Sequence, residues 1–152
     1  IASDESRFGD FVDDLYLLPD DRPDQETVLK PGELITAVVL PAPVTGKQTY
    51  RKVRDRASYA FALISVAGIV EMEDGRITRA DLAFGGLAPK PWRNDEVEDL
   101  LTGNAPSEDL FNRAADLLLA DAQGYGANDF KIPLARRTLV SVLNELTVEA
   151  PQ

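Results

Sequence analysis

The chain has no cysteine and no histidine among its 152 residues. Without cysteine there can be no disulfide, no thiolate zinc site and no cysteine-held iron–sulfur cluster. Without histidine the commonest general base and the commonest transition-metal ligand are both missing. A Ser-His-Asp or Cys-His unit therefore cannot be built from this polypeptide. A carboxylate acid/base remains open, yet nothing in the pattern selects one of the 26 acidic residues. Long apolar runs are missing too: none approaches the roughly 20 residues of a membrane-spanning helix. No basic n-region precedes an apolar h-region, so no signal peptide is visible and a cytoplasmic location is the expectation. Cations are in short supply, 16 against those 26 acids, for a net charge of −10. Such a balance opposes binding to a phosphate backbone and argues against a nucleic-acid partner.

What is present reads as an ordinary globular domain, 44% hydrophobic and 28% charged, long enough to bury a core of its own. Its first residue is Ile1 rather than Met, which suggests a piece of a longer polypeptide. Residues 1–30 hold nine acids against three cations, more than half of the chain's net charge. Phe8, Phe11, Leu15, Tyr16, Leu17 and Leu18 are too apolar for a free tail, so this piece is expected to pack on something. Asp20-Asp-Arg-Pro23 reads as a turn.

After Pro31-Gly32, the run Glu33–Leu40 is rich in aliphatic and β-branched residues, and Pro41 and Pro43 close it; this predicts a strand. A loop over 42–49 is expected next. Phe61–Met72 is almost wholly apolar, with Ser65, Ala67 and Gly68 small enough for a helix to approach. Asp74-Gly75 is a pair suited to a type I′ turn, and Arg76–Gly85 returns with Ala80, Leu82 and Phe84 on one face and Arg79 and Asp81 on the other. Three helices complete the pattern. Asn94 caps the first, with Val97, Leu100 and Leu101 inward and Gly103 ending it. Ser107 caps the second, whose stripe is Leu110, Phe111, Ala114, Leu117 and Leu118. Pro133 suits the first turn of the third, where Ala135, Leu139, Val142 and Leu146 recur at helical spacing. Strands succeeded by helices give an α+β fold: an antiparallel β-sheet of three to four strands covered on one face by about three helices.

Four features invite a functional reading. Lys47, Arg51, Lys52, Arg54 and Arg56 crowd around Asp55 and lead to Tyr59, a cationic run inside an acidic chain. Such a run can hold something flat and anionic, or it can be the charged edge of a sheet, which resists unwanted pairing. Gly85-Gly86, before Pro89, Pro91 and Trp92, permits either a rigid strand-to-helix connection or close approach of backbone to a ligand. Gly124-Tyr-Gly126 is either a flexible loop or a binding loop. Arg136 and Arg137, at a helix start where cations oppose the dipole, either meet an acidic partner or face solvent. No Walker-type or GxGxxG phosphate motif occurs, so a complete nucleotide site is missing.

Four segments in order, Leu29–Ile35 (LKPGELI), Tyr50–Ala62 (YRKVRDRASYAFA), Phe84–Arg93 (FGGLAPKPWR) and Asn128–Arg137 (NDFKIPLARR), resemble the C-terminal part of a known flavoprotein family. The family is the FAD-binding medium subunit of molybdenum hydroxylases, the xanthine dehydrogenase and carbon monoxide dehydrogenase flavoproteins. The resemblance implies that residues 1–44 are the tail of the preceding FAD-binding subdomain with its linker strand, and residues 45–152 the C-terminal domain. The glycine-rich segments that hold the FAD pyrophosphate in that family lie further upstream and have no counterpart here. Lys52, Arg54, Tyr59, Gly85 and Gly86 are then the cofactor-facing residues, Tyr59 packing on the isoalloxazine ring and the cations contacting its polar edge. A cation there would favour the negative charge of the reduced ring.

The resemblance also implies a role. The chain is expected to be part of an FAD-dependent oxidoreductase subunit, inactive by itself. Its partners are a large subunit carrying molybdopterin and a small subunit carrying 2Fe-2S clusters. Electrons run from molybdenum through those clusters to FAD and then to an acceptor. The alternative is a non-catalytic α+β interaction domain whose basic edge binds an acidic partner.

Overall fold

A computed structural model describes residues 15–148 of the chain. Strands β1 (Lys47–Val53), β2 (Ile64–Glu73) and β3 (Arg76–Gly85) form one antiparallel sheet in the order β1-β2-β3. Helices α1 (Asp95–Leu101), α2 (Glu108–Leu118) and α3 (Lys131–Thr147) come after them. This is the expected α+β order, with three strands.

Local chemistry explains the boundaries. The β2–β3 turn uses Asp74 and Gly75, both with positive φ (49° and 73°), which matches the right-handed twist of the two strands. The Asn94 side chain accepts the Glu96 N–H, and the Ser107 hydroxyl accepts the Leu110 N–H, so each helix start satisfies a donor that its own turns cannot. Beyond α1, Gly103 takes a left-handed conformation at φ 80° and its N–H bonds to the Ile77 carbonyl.

Among the described residues the three helices cover one face of the sheet. Ile64, Val66 and Val70 of β2 and Ile77, Ala80, Leu82 and Phe84 of β3 are buried against Phe111, Leu139, Val142, Leu143 and Leu146. Gly68 lies at the centre of that contact. A Cβ there would stand 2.9 Å from Leu146 Cδ1, so α3 sits directly on the β2 backbone. Gly68 is thus the small residue a helix approaches, whereas Ser65 and Ala67, expected to share that role, alternate with it onto the helix-free face.

Two further expectations change. Glu33–Leu40 is not a strand: it runs exposed, with Leu34 at 83% and Val39 at 81% accessibility. The cause is the want of a neighbouring strand: no described strand pairs with it, and strand propensity reflects packing rather than an intrinsic preference. The second strand starts at Ile64 and not Phe61, leaving the intervening residues in a loop. Phe8 and Phe11 lie outside the described residues. Leu15–Leu18 pairs instead with the segment around Thr27, through Leu17 N–H to Glu26 O and Val28 N–H to Leu15 O, both 3.0 Å. Within that excursion Arg22 grips both carboxylate oxygens of Asp24 (2.7 and 2.9 Å), holding the acid below its ordinary range.

The two faces of β2 make opposite demands on volume. Gly68→Val should lower stability by about 1–3 kcal/mol through overpacking. Ala67→Val, one residue along on the helix-free face, should stay within about 0.5 kcal/mol of the parent. Urea midpoints of the two variants check this.

Candidate functional site

Strand alternation sorts the cationic run into three groups. Lys47, Thr49 and Arg51 point to the helical face and are engaged by the end of α3: Lys47 Nζ donates to the Val148 carbonyl, while Thr49 Oγ1 (3.0 Å) and Arg51 donate to the Glu145 carboxylate. A cation at the carbonyl end of a helix also meets the negative end of its dipole. Lys52 points the other way, level with Ser65 on β2, beside Tyr50 level with Ala67. Arg54 and Arg56 lie past the strand in the loop over 54–63. The five cations are therefore not one patch. Two of them are structural.

The loop after β1 is shaped to present Tyr59. Its φ of 54° is a left-handed conformation that a bulky residue adopts only when its surroundings impose it. Arg56 donates to the Tyr59 carbonyl and closes the loop beneath it. The ring is 95% exposed, and Phe61, two residues on, is 97% exposed. Among the described residues no carboxylate pairs with Lys52 or Arg54.

The glycine pair meets this loop. Gly86 has φ 80°, and a Cβ on it would lie 2.6 Å from the Leu63 carbonyl oxygen; a Cβ on Gly85 would lie 2.5 Å from Ser65 Oγ. Within this chain the glycines meet the Ser65 hydroxyl and the Leu63 carbonyl, side by side where β2 begins. From there Trp92 exchanges two 2.9 Å backbone bonds with Phe84, and the chain enters α1. Lys52, Arg54, Tyr59, Gly85 and Gly86 thus gather at one end of the sheet, where β1 leaves, β2 enters and β3 leaves.

Two residues at this end carry no clear signal in the sequence. Phe61 belongs to an apolar run that reads as strand, and only its position outside the ladder reveals an exposed ring. Lys131, first residue of α3, donates from Nζ to the Gly86 carbonyl at 3.0 Å. The remaining candidates are structural. Arg136 pairs with Asp116 on α2, and Arg137 is exposed. The 124–126 loop is built by Asn128 and Asp129, whose side-chain oxygens accept the Tyr125 and Gly126 N–H groups at 2.7 and 2.9 Å. A shallow groove of about 630 Å³ crosses the helix-free face between Tyr50, Ala67, Ile69, Ala83, Arg79 and Asp81, away from Tyr59. Three charged residues line it, Arg79 donating to Asp81 at 2.6 Å and Arg93 bonding the Glu98 carboxylate at 3.0 Å.

Among the described residues, no group of three or more carboxylates is placed to hold a metal, and no helix is long and apolar enough to cross a membrane. One sheet, one helical layer and a rim of loops with exposed aromatics and cations make up an α+β domain among the described residues.

Known proteins share this arrangement. The family model for the CO dehydrogenase flavoprotein C-terminal domain matches residues 48–146. The aldehyde oxidoreductase FAD-binding subunit PaoB of Escherichia coli is 48% identical over 90% of this chain and 40% of its own length. The carbon monoxide dehydrogenase medium chain of Afipia carboxidovorans is 29% identical over 74% of this chain and 38% of its own. Among solved structures, reconstituted CO dehydrogenase from Oligotropha carboxidovorans superposes with a TM-score of 0.71 at 25% identity, covering 82% of this chain and 45% of that one. The chain belongs to the CO dehydrogenase flavoprotein C-terminal domain family, the C-terminal domain of molybdenum-hydroxylase medium subunits. It spans 40% or less of the length of the curated relatives it matches.

The glycine turn makes its own demand. Gly86→Ala places a methyl against the Leu63 carbonyl in a left-handed conformation, and should cost about 1–3 kcal/mol in a denaturant melt. Glu145→Gln, which loosens the exposed ion pair with Arg51 and keeps an amide oxygen for the Thr49 hydroxyl, should cost less than about 1 kcal/mol.

Proposed function

We propose that this chain is the C-terminal part of an FAD-dependent oxidoreductase subunit and forms one wall of the isoalloxazine site. The observation that carries the reading is the loop over 54–63: a strained, fully presented Tyr59 beside Lys52 and Arg54, cations for which no described acid competes. A flat, electron-accepting ring fits such a wall, because an aromatic offers it a stacking surface and a cation favours the negative charge it gains. The pyrophosphate does not fit anything here, since no glycine-rich phosphate loop exists in the sequence. FAD supplies the redox chemistry when bound. This chain's residues orient the ring, shield its face and set the charge around it.

The division into domains has the same basis. Residues 1–44 complete the preceding FAD-binding subdomain, and residues 45–152 are the C-terminal domain. Exposed Leu34, Ile35, Val38, Val39 and Leu40 support this, as a strand-prone segment whose partner strand belongs to the subdomain before it. The family match beginning at residue 48 is in keeping with that division. Molybdopterin and 2Fe-2S clusters sit on large and small partner subunits in the cytoplasm, and this subunit passes their electrons to an acceptor, in the manner of xanthine dehydrogenase.

Tyr59→Ala and Lys52→Ala in the flavoprotein subunit should each alter the flavin absorption spectrum or its reduction potential. An unchanged flavin in both would favour the interaction-domain reading instead. The isolated 152-residue chain should bind FAD weakly or not at all by equilibrium dialysis and show no oxidoreductase activity. Tight stoichiometric flavin on it would overturn the division of the site between domains.

A further inference from the structure

Three separate stretches of chain converge at the end of the sheet, and one side chain joins the third to the other two. The loop over 54–63 carries Tyr59 and ends at Leu63, whose N–H bonds to the Val53 carbonyl at 2.8 Å. The turn after β3 rests on that same residue, because Gly86 has no side chain and approaches the Leu63 carbonyl as closely as backbone allows. The carbonyl of Gly86 then accepts from Lys131 Nζ at 3.0 Å, across 45 positions of sequence. Lys131 is itself well anchored. Its N–H bonds to Asn128 O at 3.0 Å, and the helix it opens carries Ala135 and Leu139, both fully buried.

We propose that Lys131 is a positioning residue for the candidate flavin wall, holding the Gly86 turn against Leu63 and thereby fixing the loop that presents Tyr59. The inference rests on the reading of that loop as the wall. Two physical arguments support it. Gly86 is in a conformation that only glycine holds at low cost, and glycine is also the residue with the most freedom to leave it, so an external tie is needed to keep the turn in place. A charged donor on a neutral carbonyl makes a stronger bond than a neutral pair, and its long flexible stem costs little strain in reaching it. No described carboxylate competes for the ammonium, so Lys131 also adds a positive charge to the end of the sheet that carries Lys52 and Arg54.

The test uses the full flavoprotein subunit and compares Lys131→Met with Lys131→Arg and with Tyr59→Ala. Amide hydrogen exchange over residues 57–63 and 86–92 reads the positioning directly. Lys131→Met should speed exchange in both segments by about tenfold or more, the effect of one lost charge-assisted bond, and leave the buried strands unchanged. Lys131→Arg should restore it. The flavin spectrum should shift in Lys131→Met and in Tyr59→Ala alike. Unchanged exchange in Lys131→Met overturns the positioning role whatever the flavin does. Faster exchange with an unaltered flavin in both variants would retain the tie and sink the wall.

Discussion

Helix α3 rests on the central strand where Gly68 leaves nothing between helix and backbone, and the remaining architecture is arranged around that contact. Leu146 and Val142 fill the space a side chain would take, which brings the helix low enough for its C-terminal end to reach across to β1. There Glu145 and the Val148 carbonyl gather Lys47, Thr49 and Arg51. The helix therefore fixes both the middle of the sheet by packing and its outer strand by charge. Its N-terminal end reaches the opposite end of the sheet through Lys131. One rigid element of 17 residues thus sets the position of the structural cations and of the candidate site together.

The period of two along β1 explains how a single cationic run can serve two purposes. Odd-numbered residues meet the helix end, where the negative dipole and Glu145 consume their charge. Lys52 is left on the other face, and Arg54 and Arg56 lie beyond the ladder altogether. A patch that looks continuous in one dimension is divided by the pleat into a framework part and a displayed part. The displayed part is smaller than the run, and it gains definition from the loop that closes over Arg56 and the Tyr59 carbonyl.

Much of this is legible in the residues. Asp74-Gly75, Asn94, Ser107 and Gly103 each act through a local hydrogen bond or a positive φ, and local physics can be read from local sequence. The buried stripes of α2 and α3 are legible for the same reason. Glu33–Leu40 is not, because whether an aliphatic segment becomes a strand depends on a partner that composition does not reveal. The gathering of Lys52, Arg54, Tyr59, Gly85 and Gly86 at one end is reached through the four ordered motifs rather than through spacing. Phe61 and Lys131 stay hidden: the first requires knowing where the ladder begins, the second a contact 45 positions away. The glycine pair leaves both of its sequence readings standing, a rigid connection and a close approach, and the neighbours it meets within this chain are Ser65 and Leu63.

The two margins of the sheet are treated unequally. Along the outer side of β3, Ile77 bonds to Gly103 and Asn104, Leu82 N–H to the Glu98 carboxylate, and Phe84 to Trp92, so the segments after the strand cover that side. Along the outer side of β1, no backbone bond is made by any described residue. Among the described residues the sheet therefore has one covered border, along β3, and one with no backbone partner, along β1. Lys52 and the ion-paired Arg51 stand along that border, charges of the kind that keep an open sheet edge from pairing with another copy of itself.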